Sequence, residues 1–401
     1  MVLAPLDSAE LYDPVIGAWN LTGRLGAASV GPQIALLPNG QALRAGGQGV
    51  GRLLDNAERY NPDTGRWSAA GKLQQARAGH GMARLKNGGV LVVGGAGNDG
   101  VTLGSGEIYD PVTDVWSAAG NLNEARGAAT TTVLPDGRVL VAAGINGVSN
   151  LLNSAEVFTG VAAVTGGSAA SYDGSAVAAE SIVAAFGANL SAGTTLANTL
   201  PLPTRLNDVA VKVKDSAGTE RAAPLFFVSP GQINFLLPPD TSIGLARLTV
   251  TSNDVLVGSG IIQIAAVAPG LFAANGNGQG VAAAVAVRVR ADASQSYEPV
   301  ARFDAGLNRF VPIPLDPGAA NEQLILALYG TGFRARSSLA AATVKIGGFD
   351  AEVLYAGPAP GLIGLDQLNV RLPRGLIGRG EVTLTPTVDG KTANAVIVSI
   401  Q

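Results

Sequence analysis

A short pattern written four times constrains this chain more than any other feature. Ser8-Ala9-Glu10-Leu11-Tyr12-Asp13-Pro14 returns as Asn56-Ala57-Glu58-Arg59-Tyr60-Asn61-Pro62, then as Ser105-Gly106-Glu107-Ile108-Tyr109-Asp110-Pro111, and last as the shorter Ser154-Ala155-Glu156-Val157-Phe158. The glutamates stand 48, 49 and 49 residues apart. Trp19, Trp67 and Trp116 each follow their Tyr by seven residues, and Gly46-Gly47, Gly94-Gly95 and Ala143-Gly144 keep the same rhythm. A fixed period of this length marks stacked supersecondary units, none of which buries its apolar face alone.

Within each period the chemistry is that of β-hairpins. Apolar runs flank Asn39-Gly40, and Asn87-Gly88 and Asp136-Gly137 repeat the device. Such dipeptides predict two-residue type I′ turns. A second turn, Asn61-Pro62-Asp63-Thr64-Gly65, precedes Trp67. Two hairpins per period predict a four-stranded blade. A double glycine, a Tyr 13 or 14 residues on and a Trp beyond it resemble the kelch repeat of β-propellers, over residues 8–158. The resemblance implies that Tyr and Trp pack between blades and that the glycines admit close strand approach. Glu10, Glu58, Glu107 and Glu156 recur in every copy and read as fold chemistry. His80 has no counterpart in the third copy, which carries Ala129, and reads as a structural or surface residue.

Closed propellers need four to eight blades, and only about three are written here. An open arc leaves strand edges unpaired. Either the chain is the remnant of a longer reading frame, or two copies close a six-bladed ring as a homodimer through the open edges. The N-terminus shows no basic region and no long apolar stretch, so no signal peptide is visible.

Residues 161–175 are small and turn-rich and read as a linker between the propeller segment, 1–160, and the C-terminal half of the chain. That half carries a longer duplication. Phe186-Gly187-Ala188-Asn189-Leu190 matches Tyr329-Gly330-Thr331-Gly332-Phe333, and Gln232-Ile233-Asn234-Phe235 matches Gln367-Leu368-Asn369-Val370. Alternation at 209–214, 285–290 and 382–385 predicts half-buried strands, and short strands between turns predict two sandwiches, 176–268 and 269–401. The Ala-rich stretch 176–186 could pass for a helix, but its second half, 181–186, reads as a strand. Val255–Ala274 carries no charge, yet Gly258-Ser259-Gly260 and Pro269-Gly270 make it a strand and linker rather than a membrane span.

These domains resemble the IPT/TIG class of immunoglobulin-like domains. Ala223–Phe235, Ala268-Pro269-Gly270-Leu271-Phe272 and Tyr355–Gly361 resemble more specifically a C-terminal domain of large secreted proteins of Acidobacteria, which implies a secreted or cell-surface protein. That domain has no established activity. The amide pairs Gln232/Asn234 and Gln367/Asn369 read either as sugar contacts or as ties to backbone.

Composition bounds the function. With no Cys and a single His, thiol nucleophiles, zinc fingers and two-imidazole sites are excluded. A kelch propeller followed by an immunoglobulin-like domain resembles galactose oxidase, but that copper chemistry needs a Cys and two His. Net charge −3 argues against a nucleic-acid partner. The expectation is therefore an all-β chain: a partial kelch β-propeller, then two immunoglobulin-like sandwiches. It is a non-enzymatic extracellular binding or adhesion protein without cofactor or metal. The propeller presents a glycan or protein ligand face, and the sandwiches act as spacers. Loop residues Asn98, Asp99, Asn146 and Asn150 are the candidates for ligand contact. A structural envelope component and a carboxylate-based glycan hydrolase remain the alternatives.

Overall fold

The computed structural model describes residues 4–401. It consists of strands and turns, with a single short 3-10 turn at Arg374–Leu376 among the described residues. Two compact units divide it, Met1–Ala163 and Val164–Gln401.

The first unit opens on a hairpin, β1 (Glu10–Asp13) and β2 (Ala18–Leu21). Two four-stranded antiparallel blades succeed it in chain order: β3 (Gln33–Leu36), β4 (Ala42–Ala45), β5 (Ala57–Asn61) and β6 (Arg66–Ala70), then β7 (Gly81–Arg84), β8 (Val90–Val93), β9 (Ser105–Asp110) and β10 (Val115–Asn121). The last blade has β11 (Thr130–Val133), β12 (Val139–Ala142) and, after the two-residue strands β13 (Ile145–Asn146) and β14 (Asn150–Leu151), β15 (Ala155–Phe158). The result is a partial propeller of half a blade, two whole blades and a three-stranded blade. The second strand of each blade is the most buried, and Val90–Val93 is buried throughout, because both faces meet neighbouring blades.

The β3–β4, β7–β8 and β11–β12 turns depart from the type I′ expectation. Gly40, Gly88 and Gly137 have positive φ, but Asn39, Asn87 and Asp136 do not. Each glycine donates its N–H three residues back, to Leu37, Leu85 and Leu134. In two of the three turns a proline, Pro38 or Pro135, precedes the Asn or Asp; its neighbour is thereby held in a turn that needs only one left-handed residue, and glycine supplies it.

In the second unit the segment expected as a linker is partly structural. Thr165–Ser168 pairs with Ile182–Phe186 as the edge of the first sandwich, and Ser168 and Ala170 are buried. Small residues suit this edge because Gly166 lies against Ile262 and Leu248, where a side chain would collide. The five-stranded sheet so formed faces a sheet built on Val209–Lys214, Gly244–Ser252 and Val255–Ala265. The second sandwich repeats the plan, with Ala284–Val289, Gln323–Thr331 and Asp366–Arg371 opposite Ala342–Ile346, Gly380–Val388 and Val396–Ile400. Each has its own aliphatic core. The uncharged run after Val255 is a strand to Ala265, and no helix of the described residues is long and apolar enough to cross a membrane.

Candidate functional site

Each blade is closed by a buried ion pair. Glu107 on β9 accepts the backbone N–H groups of Gln74 and Gln75 at 2.7 and 3.1 Å and the Arg77 guanidinium at 2.8 Å. Glu156 on β15 does the same for Asn123, Glu124 and Arg126. Burial pushes the Glu156 carboxyl upward, but these donors hold it below its ordinary value. Glu58 on β5 takes the Gly26 N–H and, in this blade, Arg44 from the adjacent strand. Here Ser29 stands where the other blades have Arg77 and Arg126, and Arg44 bonds Ser29 as well. The recurring glutamates therefore fasten the crossover loop that leads into each blade.

The aromatic pairs seal the blade faces. Tyr60–Trp67 and Tyr109–Trp116 pack across their hairpins with centroids 5.2 and 5.1 Å apart. Trp116 donates its indole N–H to Gly71 of the preceding blade at 2.8 Å. Burial, with Asp114 as acceptor of the hydroxyl proton, raises the Tyr109 phenol above its ordinary value.

The first strands of the three blades, β3, β7 and β11, lie side by side. At their ends they frame an open recess of about 750 Å³, lined by Gln33, Gln48, His80, Thr130, Thr131 and Thr132 among others. None of its lining side chains carries a formal charge. His80 is 3% exposed, and burial, followed by repulsion from Arg77, depresses its imidazole to about 3, so the ring is neutral. Both ring nitrogens and the Thr131 hydroxyl are buried without a protein hydrogen-bond partner. The double glycines make this geometry possible. A Cβ on Gly46 would sit 2.6 Å from the Arg77 carbonyl and 2.8 Å from His80 Cε1, and one on Gly95 would sit 2.7 Å from the Ala78 carbonyl.

The four loop candidates have different fates. Asn98 Oδ1 accepts the Leu53 N–H at 2.8 Å, tying two neighbouring loops. Thr102 Oγ1 accepts the Gly147 N–H at 2.9 Å, repeating the tie one blade on. Asp99 Oδ1 accepts the Val101 N–H within its own turn. Asn146 and Asn150 are brought together as register partners in the β13–β14 ladder. The loop tips also expose Val50 and Val148, at equivalent positions of their repeats, together with Leu151. Periodicity could have located these aliphatic tips; the recess has no signal in the sequence, since it depends on which strands become innermost. The amide pairs bond to each other along their strands, Gln232 Nε2 to Asn234 Oδ1 and Gln367 Nε2 to Asn369 Oδ1, both at 2.8 Å, rather than to backbone.

The chain matches the Kelch motif over residues 76–123, the stretch that runs through the whole β7–β10 blade. The first unit thus has the build of a kelch-type β-propeller, a class of binding scaffold. No curated protein matches the chain.

Proposed function

We propose that this chain is a non-enzymatic binding protein, secreted or held at the cell surface, whose propeller arc takes a protein partner while the two sandwiches act as spacers. The open, uncharged recess at the ends of β3, β7 and β11 carries the reading, with Gln48, Thr130 and Thr132 exposed in it and Gln33 and Thr131 half-buried. The recess offers hydroxyls, amides and glycine backbone but no aromatic ring on which a sugar would stack, and the nearby loop tips present aliphatic side chains. Both features suit a polypeptide better than a glycan. The location rests on the resemblance of residues 176–401 to the acidobacterial C-terminal domain and to IPT/TIG domains.

The test is selection of a displayed peptide library on the full chain, in parallel with a glycan array. Peptides enriched on the wild type and lost on Thr131→Val and Gln33→Ala support the reading. Glycans retained in place of peptides, or ligands indifferent to both substitutions, overturn it.

A further inference from the structure

The two ends of the arc expose complementary halves of one blade interface. Gly23, Gly71 and Gly120 occupy the same repeat position. The first two press against the next blade: Gly23 donates its N–H to the Gly65 carbonyl at 2.9 Å, and a Cβ on Gly71 would overlap the Asp114 carbonyl. A Cβ on Gly120 would meet nothing within 4 Å. Beside it lies a cavity of about 150 Å³, lined by Ala119, Gly120, Leu122, Val157 and Phe158 among others, and β15 is an edge strand. In the β7–β10 blade this place is filled by the fourth strand and its tryptophan.

At the other end, Trp19 on β2 is itself a fourth-strand tryptophan, paired with Tyr12 at 5.2 Å but 65% exposed, whereas Trp116 is 3% exposed. Leu11, Val15, Ile16 and Leu21 of the same hairpin are exposed beside it.

We infer that two copies of this chain close a ring by strand exchange: β2 of each copy adds to the β15 edge of the other, and Trp19 enters the cavity at Gly120. Its indole N–H then donates to the Gly120 carbonyl as that of Trp116 does to Gly71. The occupant is a second copy because the joint continues an interface that the chain builds twice within itself. One strand is surplus at each joint, since β1 and β15 hold the same repeat position. β15 is anchored through Glu156 to Arg126 and two backbone N–H groups, while among the described residues β1 pairs with β2 alone, so β1 yields. Ala143 resists the fit. It stands where the other blades have Gly46 and Gly94, whose missing Cβ atoms leave room for a carbonyl of the next blade. Ala143→Gly therefore tightens the joint. This pairing does not depend on what the recess binds.

Light scattering on the full chain across a concentration series reads the outcome. Association to twice the 40.2 kDa chain mass is expected, with a blue shift of tryptophan emission as Trp19 is buried. Trp19→Ala and Val157→Lys each weaken association at least about tenfold, roughly the effect of losing 1.4 kcal/mol, while far-ultraviolet circular dichroism and the melting temperature stay near wild type. Ala143→Gly shifts the midpoint to lower concentration. A 40 kDa mass at every concentration, a dimer indifferent to Trp19→Ala and Val157→Lys, or growth beyond the dimer as an open head-to-tail chain overturns the inference.

Discussion

Among the described residues, the three bulkiest fully buried side chains of the propeller arc are arginines, Arg44, Arg77 and Arg126; the bulkiest of the sandwiches are all apolar, Phe235 and Phe333 followed by Leu190, Leu225 and Ile233. The arc packs small residues and glycines at close range, so its long crossover loops have little apolar surface with which to hold themselves. Buried guanidinium–carboxylate pairs hold them by direction instead. The sandwiches enclose continuous aliphatic cores, and their two fully buried carboxylates, Asp215 and Asp366, meet arginines, Arg221 and Arg334, that keep part of the side chain in solvent. Failure in the first case leaves an unpaired buried charge. Failure in the second leaves a void, which neighbouring side chains partly refill.

The largest expected effect breaks this contrast at its root. Glu107→Ala strands Arg77 and costs the arc about 3–5 kcal/mol. Phe235→Ala costs the second unit a similar amount, about 3–5 kcal/mol, by cavity formation. Calorimetry with limited proteolysis separates them: Glu107→Ala exposes residues 4–163 to cleavage and spares 164–401, and Phe235→Ala does the reverse. Loss of both units in either variant would remove the distinction.

Close glycine contacts give the next effect. Gly94→Ala places a Cβ onto the Arg126 carbonyl in a left-handed conformation and costs about 2–4 kcal/mol. Gly31→Ala has the same sign of φ but open space around it, and costs only about 1–2 kcal/mol. The difference between the two melting temperatures measures the contact alone.

The smallest effect is pH dependence. Unfolded His80 titrates near 6.5 and folded His80 near 3. Between these values the unfolded chain takes up a proton that the folded chain refuses, so stability falls as pH drops from 6.5 towards 3, by at most about 1.4 kcal/mol per unit. His80→Gln removes this slope. The comparison is cleanest between pH 6.5 and 5, above the range where most carboxylates titrate, by thermal unfolding of both proteins.

The repeat makes the arc legible from the sequence, down to its surplus strand, since Glu10 and Glu156 mark the same position twice. The hairpin turns mislead because each loop holds three residues rather than two: Leu37, Leu85 and Leu134 accept the glycine N–H and only the glycine is left-handed, with a proline before the Asn or Asp or, at Lys86, without one. Thr165–Ser168 looks like a linker because Thr-Gly-Gly-Ser has no alternation; only its partner strand, Ile182–Phe186, and the crowding at Gly166 make it an edge. Of the loop candidates, Asn98 and Asp99 are engaged in bonds that no spacing rule announces. The recess is illegible because Gln33, His80 and Thr131 meet only once three blades are laid side by side.

The exchanged position of the guanidinium in the β3–β6 blade limits how such an arc can change. Arg44 with Ser29 does the work that Arg77 and Arg126 do from the other position. A single substitution from either arrangement leaves Glu58 buried without a cation or confronts it with two. The first of these intermediates costs the arc about 3–5 kcal/mol, as an unpaired buried charge does. Exchange of a whole blade avoids both, so the two arrangements are interchangeable by the blade and not by the residue.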